Sequence, residues 1–225
     1  SNNGAISGVT ETMLITAGVD SSRDSQGFLM NRQRLTNSLN LATNTIENGI
    51  GSGERAVVPG RIALGTADFS ISFWVYKHRD WDSQYIIGQY KDDSNRWYIR
   101  GDSNSNIQIY AKISNTQVLN NVDTTNLANH LETWTHFAVT VDRSDTSAGI
   151  QWYVNGVATD SDGTDAGQTG TSLTLDADTT IGWFEWSTAE DRHFDGRIDD
   201  LLIYGDKLEA TEVKRIYNAG KRSHR

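Results

Sequence analysis

From residue 36 onward the apolar residues recur at every second position. In Phe69-Ser70-Ile71-Ser72-Phe73-Trp74-Val75-Tyr76, one side carries Phe69, Ile71, Phe73 and Val75, and the other carries Ser70, Ser72, Trp74 and Tyr76. A two-residue period is that of a strand with one buried side. The same pattern predicts strands over 85–89, 97–100, 107–113, 134–141, 150–155, 171–175 and 198–204, separated by clusters of Asp, Asn, Gly and Ser. Strands spaced about ten residues apart favour a sandwich or a barrel. Asn155-Gly156, set between Val154 and Val157, tolerates the positive φ angles of a type I′ hairpin turn. Residues 208–220 break the rhythm. There Val213, Ile216 and Tyr217 fall at helical offsets and Gly220 stands where a helix stops, so one short helix follows the last strand.

The first 35 residues show neither period. Met13-Leu14-Ile15 and Phe28-Leu29-Met30 are isolated apolar patches among Gly, Ser, Thr and Asn, and the segment reads as an extended N-terminal arm. Fully stretched it reaches roughly 115–125 Å, enough to engage a neighbouring molecule; packing as strand and loop on its own domain is the alternative. The chain thus divides into an arm (1–35), a β domain (36–220) and a basic tail (221–225).

Composition narrows the function classes. The length of 225 residues suits one all-β domain. Only 36% of the residues are hydrophobic, but seven Trp, eight Tyr and six Phe supply large buriable surfaces. One Pro against 20 Gly fits short strands joined by tight turns. The absence of Cys excludes disulfides, thiolate zinc sites and cysteine nucleophiles. With no run of about 18 apolar residues, a transmembrane helix is not expected, and the polar opening Ser1-Asn2-Asn3-Gly4 has no secretory-signal pattern. The net charge of −9 is uneven: residues 36–205 hold 23 acids and 11 bases, giving −12, while 206–225 hold six bases and three acids, giving +3. An acidic body repels phosphate backbones, so nucleic acid is a poor partner. The tail Lys221-Arg222-Ser223-His224-Arg225 reads as a solvated terminus.

Four segments, in order, carry a resemblance: Asp68-Phe69-Ser70-Ile71-Ser72-Phe73-Trp74-Val75; Trp134-Thr135-His136-Phe137-Ala138-Val139-Thr140-Val141-Asp142; Trp152-Tyr153-Val154-Asn155-Gly156; and Phe194-Asp195-Gly196-Arg197-Ile198-Asp199-Asp200-Leu201-Leu202-Ile203-Tyr204, followed by Leu208 and Ile216-Tyr217. Over residues 36–220 the sequence resembles the laminin-G-like branch of the concanavalin A-like lectin/glucanase superfamily. Ser38-Leu39-Asn40-Leu41 and Glu54-Arg55-Ala56-Val57-Val58-Pro59 stand where that family's first two strands fall. The resemblance implies an all-β fold, a two-sheet antiparallel jelly-roll sandwich. The fold hosts many functions, so the site must decide among them.

Catalysis finds little support. The superfamily's glycosidases carry Glu-x-Asp-x-x-Glu on one strand, and the nearest run here, Glu185-Trp186-Ser187-Thr188-Ala189-Glu190-Asp191, has the wrong spacing. There is no HExxH motif, no Gly-x-Ser-x-Gly elbow and no phosphate loop, and His136 reads as a hydrogen-bonded sheet residue. The chain is therefore expected not to be an enzyme. Members of the family often hold calcium, which takes carboxylate and carbonyl oxygens. Asp160-Ser161-Asp162-Gly163-Thr164-Asp165 lacks the ligand pattern of a calcium loop and reads as a turn. Asp199 is placed by alternation on the face of Leu201 and Ile203, where a carboxylate needs backbone hydrogen bonds or a calcium ion.

Trp81 lies between Asp80 and Asp82, and Trp183 and Trp186 flank Glu185, all in polar surroundings. Sugars stack on such rings while Asp, Asn or Glu bind their hydroxyls; protein contact and packing within the domain remain alternatives. Two functions are expected from these features. The first is a phage virion surface protein, a capsid decoration or fibre, displaying a lectin-like domain as a homo-oligomer and attached to the shell or to sister subunits through residues 1–35. A start at Ser1, as after removal of an initiator Met, with no Asn-x-Ser/Thr sequon and no Cys, fits a protein made in the cytoplasm and carried on the virion surface. The second is a secreted, extracellular bacterial carbohydrate-binding or adhesion module.

Overall fold

The computed structural model describes residues 17–18, 39–40, 46–47, 50–51, 56–58, 62–78, 84–102, 106–123, 130–159, 161–162, 170–184 and 193–224. In chain order the strands are β1 (Ala17–Gly18), β2 (Leu39–Asn40), β3 (Ile46–Glu47), β4 (Ile50–Gly51), β5 (Ala56–Val58), β6 (Phe69–Lys77), β7 (Tyr85–Asp92) and β8 (Asn95–Gly101). They continue with β9 (Ile107–Ile113), β10 (Thr116–Asp123), β11 (Thr135–Val141), β12 (Ile150–Val154), β13 (Val157–Ala158), β14 (Ser161–Asp162), β15 (Thr179–Ile181) and β16 (Gly196–Tyr204), followed by helix α1 (Ala210–Gly220). One sheet runs β1-β16-β6-β11-β12-β13, with β2 also paired to β16; the other runs β14-β10-β9-β8-β7-β15-β5. Strands β3 and β4 pair with each other. Apart from β1, which lies parallel to β16, the sandwich is antiparallel, and it has the jelly-roll architecture with one short C-terminal helix.

Period two decides what fills the sandwich. Cross-strand register aligns Ile203, Ile71, Val139 and Trp152 in the first sheet and Ala56, Ile181, Ile87, Ile99 and Ile109 in the second. Both rows belong to one continuous buried core. Burying side chains of this size contributes about 1.5–3 kcal/mol each relative to exposure.

The outer face of the first sheet is covered as well. Ser70, Ser72 and Trp74 are buried along with their inward neighbours, because α1 lies over them. Tyr204, Ala138 and Tyr153 pack with Leu208, Val213 and Ile216. Ser70 Oγ donates to Asp206 O and accepts from Leu208 N, both at 2.9 Å. At the helix start the Glu209 amide donates to Glu212 Oε2 at 2.9 Å, a box-type N-terminal cap.

Several sequence expectations need correcting. Residues 171–175 form no strand; Leu173 and Leu175 are buried at 0% and 4% exposure, and the Leu173 amide donates to Gly65 O at 2.8 Å. Strand β10 was not expected, since polar Asn120 and Asn121 and a register shift between Gln117 and Leu119 interrupt its alternation. The tail is not wholly solvated: Lys221–Ser223 are exposed, whereas His224 is buried at 6%. Its ring stacks on Trp74 at 4.3 Å and its Nδ1 bonds Gly220 O at 2.9 Å. Of the expected N-terminal arm, only Ala17–Gly18 is described, and it pairs with Ile203–Tyr204.

The hairpin at Asn155-Gly156 has φ of 52° and 71°, as a type I′ turn requires. A Cβ on Gly156 also meets Tyr217 Cβ at 3.0 Å. Gly156→Ala is therefore expected to lose about 1–2 kcal/mol of stability in urea unfolding; an unchanged midpoint would contradict the turn. After β11, Asp142 accepts from Ser144 Oγ at 2.6 Å and from Lys207 Nζ at 3.1 Å. With the Ser144 and Asp145 amides, these bonds lower its pKa to about 2. A depressed carboxyl stabilises the fold above its unfolded value and loses that contribution as pH falls toward 2. Thermal melting followed from pH 5 downward is expected to show a shallower acid decline in Asp142→Asn; identical profiles would exclude the effect.

Candidate functional site

The second sheet keeps its outer face free of the helix. Register places Val57, Thr180, Gly88, Tyr98, Tyr110 and Asn120 in one row across six strands, on the side opposite Ile87, Ile99 and Ile109. Over this row sits an aromatic group: Tyr85 stacks on Phe184 at 4.6 Å, Tyr98 on Tyr110 at 5.2 Å, and Tyr90 meets Phe184 edge-on at 5.7 Å. Gly88 makes this approach possible, since a Cβ there meets the Phe184 ring at 2.7 Å.

At the β5 edge the face opens into a cleft of about 400 Å³ lined by Val57, Tyr90, Lys91, Asp176, Ala177, Asp178, Thr180 and Trp183. Its walls are set by hydrogen bonds from the strands. Buried Gln89 donates to Ala177 O at 3.2 Å and to Thr179 Oγ1 at 2.9 Å, and accepts from Trp97 Nε1 at 2.8 Å, which ties the 176–178 turn to the core. Thr180 Oγ1 donates to Trp183 O at 2.7 Å, fixing the backbone that carries the indole. The half-buried Trp183 ring stacks on His193 at 6.0 Å. Tyr90 donates to Asp93 Oδ1 at 3.2 Å; desolvation first, and then Asp93, raise its pKa so that the hydroxyl stays a neutral donor. Aromatic edges, carboxylates, a hydroxyl and an ammonium thus converge on one concave space, the composition of a small polar-ligand site.

Of the residues singled out from sequence, Trp183 lies in this cleft. Trp81, Glu185 and Trp186 lie outside the described residues, as do the side chains of the 160–165 turn. Tyr90, Lys91, Asp176, Asp178 and Thr180 were not anticipated. The signal for Tyr90 was available, since it shares the β7 face of Gly88; the Asp pair looked like an ordinary acidic turn.

Asp199 lies elsewhere, and its expected face was wrong. A bulge between Asp199 and Leu202, with Asp200 at φ 45°, shifts the register. Ile198, Leu201 and Ile203 face the core, while Asp199 pairs with Trp74 on the helix-covered side. Its Oδ2 lies 3.0 Å from His224 Nε2 and its Oδ1 accepts from the Asp200 amide at 2.8 Å. An ion at this carboxylate would compete with His224. Among the described residues, no three His, Asp or Glu side chains gather as a metal site.

The fold has relatives among binding domains. The binding domain of Paraclostridial Mosquitocidal Protein 1 is similar at 17% identity, over 83% of this chain and 45% of that one, with a TM-score of 0.59. Botulinum neurotoxin type C, whose cell entry depends on interaction with two ganglioside molecules, matches at 17% identity over 74% of this chain and 40% of that one, TM-score 0.55. Domain 4 of AbnA, an extracellular GH43 arabinanase from Geobacillus stearothermophilus solved with arabinotriose, matches at 20% identity over 80% and 87% of the two chains, TM-score 0.51. The chain spans less than half the length of the two toxin chains. No curated protein sequence matches it. A laminin-G-type family model matches residues 51–214, from before β5 into α1, and with this topology it establishes that the chain belongs to the concanavalin A-like lectin/glucanases superfamily.

Proposed function

We propose that this chain is a non-enzymatic carbohydrate-binding domain and that the cleft at the β5–β15–β7 edge is its sugar site. The observation that carries the reading is the placement of Trp183 and Tyr90 around one concave space with Asp176, Asp178 and Thr180. An aromatic ring takes the apolar face of a pyranose or furanose, while carboxylates and hydroxyls take its OH groups. Similar domains point the same way: one was solved with arabinotriose and another belongs to a toxin that depends on gangliosides. The sequence has no Glu-x-Asp-x-x-Glu run of the kind carried by the superfamily's glycosidases, which supports binding rather than hydrolysis.

For its setting we propose display on a phage particle, with residues 1–35 joining the domain to the shell or to sister subunits. The support is in the sequence: an aperiodic segment long enough to reach a neighbour, and no cysteine. Pairing of Ala17–Gly18 with β16 fits an arm whose middle part is docked on its own domain. A secreted bacterial adhesion module is the competing setting, supported by the likeness to a domain of an extracellular arabinanase.

On a glycan array the wild-type protein is expected to retain a defined set of saccharides. Trp183→Ala and Tyr90→Ala should each weaken that binding about 30-fold, the loss typical of a central aromatic anchor. Retention of no sugar by the wild type, or unchanged binding by both variants, would remove the cleft from the proposal. Particles assembled without the protein are expected to take up the full chain, and a variant lacking residues 1–34 should bind sugar but not particles. Normal particle uptake by the truncated chain would exclude the arm as the tether.

A further inference from the structure

Beside the cleft, β8 and β9 carry cations and tyrosines on the sheet face turned away from the aliphatic core. On β8 the residues are Arg96, Tyr98 and Arg100; register sets them against Lys112, Tyr110 and Gln108 of β9. Arg96 and Lys112 are therefore direct cross-strand neighbours; Arg96 is buried and paired with Asp93 at 3.8 Å, so the charge of this pair without a described acidic partner is that of Lys112. It stands on a chain with a net charge of −9. Arg100 is held flat: its guanidinium lies over Tyr98 at 5.4 Å and Tyr85 at 5.9 Å. Its Nε donates to Gln108 Oε1 at 2.9 Å, and Gln108 Nε2 donates in turn to Asn120 Oδ1 at 2.8 Å.

These contacts use one N–H of the guanidinium and leave its two terminal nitrogens without a protein partner among the described residues. No described carboxylate forms an ion pair with Arg100 or with half-buried Lys112. A positioned guanidinium fork with open N–H groups suits a planar or tetrahedral oxyanion. At the other end of β8, roughly 13 Å away along the strand at ~3.3 Å per residue, the guanidinium of Arg96 is buried, donates to Asp93 O and pairs with the Asp93 carboxylate. The stacked, half-buried Tyr110 lies between the two ends.

We propose that this face binds an acidic saccharide chain, one whose sugars carry carboxylate or sulfate groups. The proposal rests on the carbohydrate reading of the cleft and names the ligand class. Tyr90 lines the cleft and is also the cross-strand neighbour of Arg96, so the two surfaces are continuous. A sugar seated at Trp183 leads toward these cations, where the half-buried Tyr110 offers a ring to pack on and Arg100 and Lys112 take the acid groups. Two separated cations, Arg100 and Lys112, suit a chain with isolated acid groups. A nucleic acid, with a phosphate at every nucleotide, would meet the acidic remainder of the domain.

The experiment is titration calorimetry of the full chain with two matched pairs: oligogalacturonate and its methyl ester, and a heparin oligosaccharide and its desulfated form. At least one acidic member is expected to bind about tenfold or more tightly than its neutral partner, with affinity falling as salt rises. Arg100→Gln and Lys112→Gln should each abolish that preference while leaving neutral-sugar binding intact, and Arg100→Lys should restore part of it. Circular dichroism melting checks that the variants fold. Neutral and acidic members binding equally, or variants keeping the preference, would overturn the acidic assignment while the cleft reading stands. Failure of every saccharide, there and on the array, would overturn both. Binding of a thymidine oligonucleotide that the same variants lose would assign the face to nucleic acid and overturn the proposal.

Discussion

A strand has two sides, and a two-sheet sandwich fills only one side of each sheet. The residues on the outer sides decide what the domain does. Here the two outer faces are treated differently. The first sheet is roofed by α1, and even its serines are enclosed. The second presents a row running from Val57 to Asn120 in which aromatic and polar groups replace aliphatic ones. On the proposed reading, recognition falls to the face that α1 leaves uncovered.

The roof depends on Trp74. Its indole stacks on His224 at 4.3 Å and on Tyr217 at 5.6 Å, and meets His136 edge-on at 5.2 Å. Ser72 and His136 Nε2 are 2.9 Å apart beneath it. Asp199 reaches this nest only because the bulge at Asp200 turns it away from the core, where its charge would lack solvation. The bulge thus converts an unfavourable inward carboxylate into the partner of His224, fastening the end of the chain over the helix-covered face.

Long, regular strands were legible in the sequence. β6, β9 and β11 carry enough apolar alternation that period alone locates them; β16 stood out as an apolar run, but the bulge after Asp199 breaks its alternation; the Asn-Gly turn and terminal helix have local signatures. Elements whose order comes from neighbours were not legible. β15 is three residues long and exists because β5 and β7 flank it. The stretch 171–175 has buried leucines but belongs to neither sheet. At the site, Trp183 stood out as an aromatic in a polar loop. Tyr90, Asp176 and Asp178 did not, because their convergence is a product of three strands meeting at an edge. The Arg96–Lys112 opposition was invisible until register set the two strands side by side.

The central claim is that the unroofed face of the second sheet is the binding surface. Amide chemical-shift mapping by NMR, during titration with a saccharide selected on the array, tests it most directly. The account predicts shifts concentrated at Thr180, Trp183, Tyr90, Tyr98 and Tyr110, with α1 and the Trp74–His224 nest unmoved. Shifts centred on α1 and its covering of the first sheet, with the Val57–Asn120 row silent, would contradict it.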